Sequence, residues 1–406
     1  MSIPLVIFFL LLITSFLVPL RFVPYVAKST SLTLIVVAFY ALAFHDSFYV
    51  WEDTALGALS LLFGTDVFSL PLLLATGILG VVLDWNSRKP NFLFICYLAV
   101  IFSSISLDPI LALIFMEAAA LFLFFYFNNY QEGREASLRF FRFSVASFCL
   151  LAVGITLAKN NASDFWPAVL VFLGLTVKLP LPPFNGWQIQ SYSLGKIEGV
   201  YLLNGLLTKL PLVAVLRSPF DNGFLGAYFS VLALVAGFLA FRSESPVRKA
   251  AYLSSAHLGL FATAIFLTRE SSAQTFFWFC IAHSIASPIL IALTRKEIQP
   301  NLEHLYIFFI LLGAPLTPGI WADFFIFASI FSKSATLGVV CAAALLLGLA
   351  TALQLWPRER EFKASITKFG LLATMLIILS LLANLTPARR TEIPAILNDY
   401  QINSSL

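Results

Sequence analysis

Four ionisable residues stand inside long apolar runs. They are Glu117 in "LALIFMEAAALFLFF", Lys178 in "TVKLPLPPF", Lys209 in "VYLLNGLLTKLPLVAVL" and Asp323 in "GAPLTPGIWADFFIFASIF". A charge at the centre of a bilayer costs about 2.5–3.5 kcal/mol on insertion scales, so each needs a reason, and the default reason is a path for protons or ions. A lysine withdrawn from water can release and regain a proton, which a surface lysine does not do. Two histidines add groups that titrate near neutrality: His257 in "AYLSSAHLGLF" and His283 in "CIAHSIASPIL".

Each residue also has a plainer reading. Glu117 has apolar residues far to both sides, so it faces the protein interior, either in one structural ion pair with Lys178 or in transport. Lys178 stands two residues before Pro180. If its helix ends there, the ammonium snorkels to the membrane edge. If the helix breaks and resumes, Lys178 is mid-span and carbonyls freed by the break stabilise it. Lys209, beside Pro211, is deep from both ends. Asp323 is either the N-cap of a second half-helix or a titrating group. His257 and His283 are either satisfied buried histidines or steps in a relay. His45 and His304 lie near helix ends and carry no reading.

These residues need a scaffold of membrane helices. The chain has 406 residues, 60% of them hydrophobic and only 11% charged, with a mean hydropathy of +0.91. Soluble domains carry about 25% charged residues, so this is a polytopic membrane protein. A spanning helix needs about 20 apolar residues. Helices are expected at 3–20, 31–44, 69–84, 91–107, 109–127, 137–158, 164–192, 199–216, 224–241, 250–268, 273–294, 303–332, 334–356 and 368–386. The N-terminal run lacks a basic region and a small-residue cleavage site, which reads as a retained helix. Residues 51–66 read as a loop with a hairpin.

The seventh and twelfth segments are too long for one crossing. One contains Pro180, Pro182 and Pro183; the other contains Pro315 and Pro318. Proline removes a helical donor and clashes with the preceding turn, and a broken helix survives in a membrane only where protein or water satisfies the freed groups. Two breaks five positions apart fit inverted repeats. The predicted architecture is all-α, about 14 transmembrane helices in a single domain over 1–406. Its repeats span about 91–216 and 224–356, with helices 7 and 12 broken and flanking helices over 3–84 and 368–386. Of the 25 Lys and Arg residues, 17 fall in loops after odd-numbered helices, whereas Lys159, Arg217, Arg269 and Lys333 fall after even-numbered ones. Basic loops are cytoplasmic, which places both termini on the outer side.

Other chemistry is missing from the sequence. There is no GxGxxG, P-loop, HExxH or nucleophile elbow, and the cysteines (Cys96, Cys149, Cys280, Cys341) show no CxxC spacing. No metal, cofactor or nucleic acid is expected, and the four cysteines read as buried bystanders.

The motifs, in one order over about residues 61–330, resemble the antiporter-like membrane subunits of respiratory complex I and of multisubunit Na+/H+ antiporters. "SLDPILALIFMEAAALFLFFY" is similar to the family's fifth helix, with Glu117 at its central glutamate. "TVKLPLPPFNGW" resembles the broken seventh helix, with Lys178 at its lysine. "GVYLLNGLLTKLPLVAVLR" resembles the eighth, with Lys209 at the second lysine. "SPVRKAAYLSSAHLGL" and "IAHSIASPILIAL" place His257 and His283 on the tenth and eleventh, and "LLGAPLTPGIWADFF" places Asp323 on the twelfth. Asn185 replaces a usual histidine, "WQIQ" replaces "WLPD", and Ser287 stands where some members carry lysine.

The resemblance implies a proton-translocating, or Na+-linked, subunit of a larger complex in a bacterial inner membrane or equivalent energy-transducing membrane, packed against other membrane subunits. It has no catalytic centre of its own, though the complex it serves would be a redox-driven pump of the NADH:quinone oxidoreductase kind or a cation antiporter. The alternatives are a proton-channel subunit of an inorganic-carbon (CO2/bicarbonate) uptake complex and a non-conducting membrane scaffold.

Overall fold

The computed structural model describes residues 19–44, 50–56, 59–87, 89–159, 165–220, 222–269, 272–296, 309–314 and 317–355. The expected helices over 3–20 and 368–386, and Pro315, lie outside them. A short 3-10 turn, Leu20–Phe22, leads into α1 (Val23–Phe44), which begins eight residues earlier than expected. A hairpin follows, β1 (Val50–Leu56) and β2 (Leu59–Gly64), antiparallel with Val50 opposite Gly64. It falls where the sequence pointed to one. The next helices are α2 (Ser69–Val82), α3 (Pro90–Ile105), α4 (Pro109–Asn128) and α5 (Arg134–Ala158).

The seventh expected segment divides into α6 (Phe165–Lys178) and α7 (Gly186–Leu194). The eighth, expected as one helix, is interrupted as well. It runs as α8 (Ile197–Leu202), a π-helical turn (Leu203–Leu207) and α9 (Leu210–Arg217). Then come α10 (Phe224–Arg242), α11 (Pro246–Leu267), α12 (Ser272–Thr294), α13 (Pro318–Lys333) and α14 (Ala335–Gln354). Eight helical stretches among the described residues are long and apolar enough to cross a membrane, and α2, α3 and α6 are shorter apolar helices. The protein is an integral membrane protein of helical architecture.

The helices obey local rules. Pro109 opens α4, and the Asp108 carboxylate accepts from the N–H groups of Ile110 and Leu111 at 2.9 and 2.8 Å, satisfying donors that a helix start leaves open. Small residues let helices approach closely. A Cβ on Gly154 of α5 would stand 2.9 Å from Val171 of α6, and one on Gly259 of α11 would stand 2.9 Å from Ala233 of α10. Large apolar side chains line the outer faces of α10 and α14, among them Phe224, Tyr228, Phe238, Val339 and Leu346. In water such faces would be a liability; against lipid tails they are the expected surface.

One clamp fixes the end of the Lys209 segment. Arg217 was expected in a loop, but it is the last residue of α9 and its side chain is 1% exposed. Its guanidinium donates to both Asp66 carboxylate oxygens at 2.9 and 2.8 Å, to Ser69 Oγ, and to the carbonyls of Ser104 and Ser106. Arg269 donates to the carbonyls of Leu216, Ser218 and Phe220. The last turn of α9 is thus tied to α2, α3 and the hairpin side of the bundle.

Burial pushes the Asp66 carboxyl up, but the Arg217 charge and hydrogen bonds from Arg217 and Ser69 outweigh it and hold the group below the usual carboxylate range. Its folded value therefore lies below the unfolded one of about 3.9. The stabilisation is fully present above that pH and is lost as pH falls through the folded value. Asp66→Asn is expected to lower stability at neutral pH by about 1–3 kcal/mol and to remove this acid-side slope. Thermal unfolding of the purified protein at several pH values reads both effects; an unchanged midpoint at neutral pH would refute the clamp.

Candidate functional site

The first break is built from prolines and closed by side chains. Pro180 has no N–H, so the next donor, Leu181, reaches back to the Thr176 carbonyl at 3.0 Å. The Val177 carbonyl accepts from Trp187 Nε1 at 3.0 Å, and the Pro180 carbonyl accepts from Ser255 Oγ at 2.8 Å. Protein groups thus satisfy the backbone, as a break within a membrane requires. The freed carbonyls were expected to hold the Lys178 ammonium; Trp187 and Ser255 take these two instead.

Lys178 is the last residue of α6 and is buried. It does not snorkel. Its Nζ stands 3.2 Å from Glu117 Oε2 on α4 and also donates to Ser144 Oγ on α5, which in turn donates to the same carboxylate oxygen at 2.9 Å. The three groups form a closed triangle between three helices. Glu117 keeps 15% side-chain exposure and Lys178 only 4%. Glu117 Oε1 is buried without a hydrogen-bond partner among the described residues, so the carboxylate holds unused acceptor capacity beside the lysine.

Lys209 occupies the second interruption and is fully buried. In the π turn the Thr208 N–H bonds to the Leu203 carbonyl at 3.3 Å, five residues back rather than four. This register releases the Asn204 carbonyl, which accepts from Lys209 Nζ and from Thr208 Oγ1. Single π turns recur at functional positions, and Pro211 fits here because it stands in the first turn of α9, where its missing N–H does no harm. The Asn204 side chain extends the network. Its Nδ2 donates to Ser287 Oγ on α12 at 2.7 Å, and its Oδ1 accepts from Ser254 Oγ on α11 at 2.8 Å. Ser254 Oγ lies 3.3 Å from His283 Nε2.

His283 meets His257 edge to face, with ring centroids 6.1 Å apart. Both line a cavity of about 30 Å³ together with Asp323 and the apolar side chains of Leu260, Phe279 and Ile326. Asp323 lies in the second turn of α13 and is not its N-cap, which is Thr317. The helical turn before the second break ends with Gly313 at φ +60°. The Gly313 N–H bonds to the Ile310 carbonyl at 3.2 Å and the Ala314 N–H to the Phe309 carbonyl at 3.0 Å, the paired bonds of a Schellman stop. The expected break at Pro318 is here, with Pro318 opening α13.

Gly313 also makes room for the acid. A Cβ there would stand 2.4 Å from Asp323 Oδ2. A left-handed conformation costs a side-chain-bearing residue about 1–2 kcal/mol, so Gly313→Ala is expected to destabilise by at least that amount and to displace the carboxylate. Thermal unfolding and proton uptake of the assembled variant check this; wild-type values for both would show that the acid does not need this position.

The chain matches the family model described as "NADH:quinone oxidoreductase/Mrp antiporter, TM" over residues 106–304. NADH-ubiquinone oxidoreductase chain 4 of Metridium senile is 25% identical over 354 residues, 73% of this chain and 72% of that protein. This chain is similar to the antiporter-like membrane subunits. NADH-quinone oxidoreductase subunit M of Buchnera aphidicola is 24% identical over 57% of this chain and 56% of that one. Among solved structures, a chain of the Mrp complex from Dietzia sp. superposes with a TM-score of 0.76 at 16% identity, covering 94% of this chain and 93% of that one. A chain of respiratory complex I from Thermus thermophilus gives 0.73 at 19% identity, over 94% and 96%. These likenesses show a shared fold.

In this bundle, Glu117 meets Lys178, and His257, His283 and Asp323 share a cavity. Among the described residues, the hydrogen bonds that link Lys209 to His283 run through Asn204 and Ser254. Sequence reading passed over Ser144 and Asn204. Asn204 had a visible signal, being an amide in an apolar stretch five residues before Lys209; Ser144 had none, since serines are common in α5. Ser254 stands three residues before His257 in the sequence, yet it bonds toward His283.

Proposed function

We propose that this chain translocates protons as one membrane subunit of a multisubunit complex. The observation that carries the reading is the closed Glu117–Ser144–Lys178 triangle, which lies in the same helical bundle as the Lys209–Asn204–Ser254–His283 network and the cavity that ends at Asp323. The charged members of this set are expensive to hold in a bilayer, and a non-conducting scaffold has no use for them.

Each side chain has a physical role in this reading. The Glu117 carboxylate holds the proton on Lys178; weakening that pair favours release toward Lys209. Ser144 gives the ammonium a second partner while the pair loosens. Lys209 takes up and returns the proton, His283 and His257 carry it on, and Asp323 exchanges it with the far side. The cavity at the histidines has room for roughly one or two waters, which suits a proton step between side chains that do not touch. A neighbouring subunit would bias the Glu117–Lys178 pair from the exposed edge of Glu117. Two repeats, about 91–216 and 224–356, each with a break in the fourth segment, would place the two halves of the path symmetrically. Basic loops place both termini on the outer side of a bacterial inner, or equivalent energy-transducing, membrane.

The relatives named above favour a quinone-oxidoreductase or Mrp-type complex over inorganic-carbon uptake. The test is proton uptake by sealed vesicles carrying the complete native complex, wild type against Lys209→Ala, repeated with and without Na+ to separate the two ions.

A further inference from the structure

We propose that Asn204 is a positioning residue that sets the tautomer of His283, and the inference rests on the proton-path reading above. The direction of each hydrogen bond follows from its neighbour. The Asn204 amide Nδ2 is a donor only, and it is spent on Ser287 Oγ at 2.7 Å. That turns Oδ1 toward Ser254, whose hydroxyl proton it takes at 2.8 Å. With its proton committed, Ser254 Oγ offers lone pairs to His283 Nε2 at 3.3 Å, so Nε2 carries the hydrogen. A neutral imidazole then has a bare Nδ1. That atom is buried and has no hydrogen-bond partner among the described residues, while the ring lines the cavity shared with His257 and Asp323.

The amide thereby leaves one acceptor on His283, Nδ1, for an arriving proton, and reserves Nε2–H for the bond to Ser254. Phe279, stacked on the ring with centroids 4.9 Å apart, holds its plane. Asn204 also offers its main-chain carbonyl to Lys209, so the π turn joins the two titrating groups through a single side chain and its backbone. The charged and titratable groups around His283 are Lys209 from the start of α9, His257 from α11, Asp323 from α13 and Cys280 from its own helix.

The test uses sealed vesicles holding the whole complex, with Lys209→Ala as the reference. Asn204→Leu keeps the branched shape, though with bulkier methyl ends, and removes both side-chain bonds; uptake is expected to fall roughly fivefold to tenfold, the equivalent of one buried hydrogen bond. Asn204→Asp supplies a readout that packing cannot. Protonated, the carboxyl copies the amide, donating to Ser287 and accepting from Ser254. Ionised, it accepts from both and pins the Lys209 ammonium. Uptake by Asn204→Asp is therefore expected to hold at acid pH and to fall on the alkaline side, relative to wild type. An Asn204→Leu complex that pumps at the wild-type rate, or an Asn204→Asp profile parallel to wild type, while Lys209→Ala is inactive, overturns the role of Asn204 and leaves the path standing. If Asn204→Leu does not assemble, the Asn204→Asp profile decides. An active Lys209→Ala complex overturns the path itself.

Discussion

Replacing Lys209 by alanine is expected to reduce proton uptake by vesicles of the complete complex roughly a hundredfold or more, the scale lost with a proton-transferring group. The complex is expected to stay assembled. Lys209 is fully buried in an apolar segment, and among the described residues its Nζ donates to the Asn204 carbonyl. That carbonyl keeps a second donor, Thr208 Oγ1 at 3.0 Å, when the lysine is removed. Among the described residues no buried polar group is therefore orphaned, and removing a buried amine from apolar surroundings relieves desolvation. Lys209→Met fills the same space without a titrating group and should behave like alanine in transport and like wild type in assembly. The measurement is the initial rate of uptake after energising the vesicles, with intact subunit composition verified. Wild-type uptake by both variants would leave the buried lysine as ornament and the family likeness as ancestry.

The second large effect falls on stability. Glu117→Ala leaves the Lys178 ammonium buried with Ser144 as its remaining partner among the described residues. Breaking a buried ion pair from one side costs about 3–5 kcal/mol, and the lower end applies because Glu117 keeps 15% side-chain exposure. The double variant Glu117→Ala/Lys178→Met removes both charges, so most of the stability should return while transport stays lost. The thermal midpoint of the assembled complex reads the first effect and vesicle uptake the second. A single variant as stable as wild type would mean that the pair is solvated and is not the gate. Equal losses in the single and double variants would mean that packing at this site, rather than charge, supplies the stability.

Much of this was legible before any coordinates. Glu117, Lys178, Lys209 and Asp323 announce themselves because an apolar segment has no neutral way to hide an ionisable side chain. The proline clusters announced two broken helices because a residue without an N–H interrupts the ladder wherever it stands. The hairpin over 50–64 and the helices from α2 to α6 fall within a few residues of expectation, since apolar length alone sets most membrane spans. The interruption at Lys209 was not legible. Pro211 is tolerated at the start of a helix, so it gave no sign that the preceding turn widens to π geometry. Arg217 was assigned to a loop by its place at the end of an apolar run, and only the fold shows it buried against Asp66.

The sequence by itself determined that this is a helical membrane protein with costly charges at fixed depths, and the order of its motifs determined the family they resemble. Those properties are local, written in composition, spacing and the chemistry of proline. Tertiary structure alone decided who meets whom. It placed Ser144 between Glu117 and Lys178, gave Ser254 to His283 rather than to His257, and made Asn204 the link between Lys209 and the histidines. Those contacts span 27 to 83 positions along the chain. They depend on which helix faces pack together, and a serine or an amide looks the same in sequence whether it faces lipid or a buried lysine.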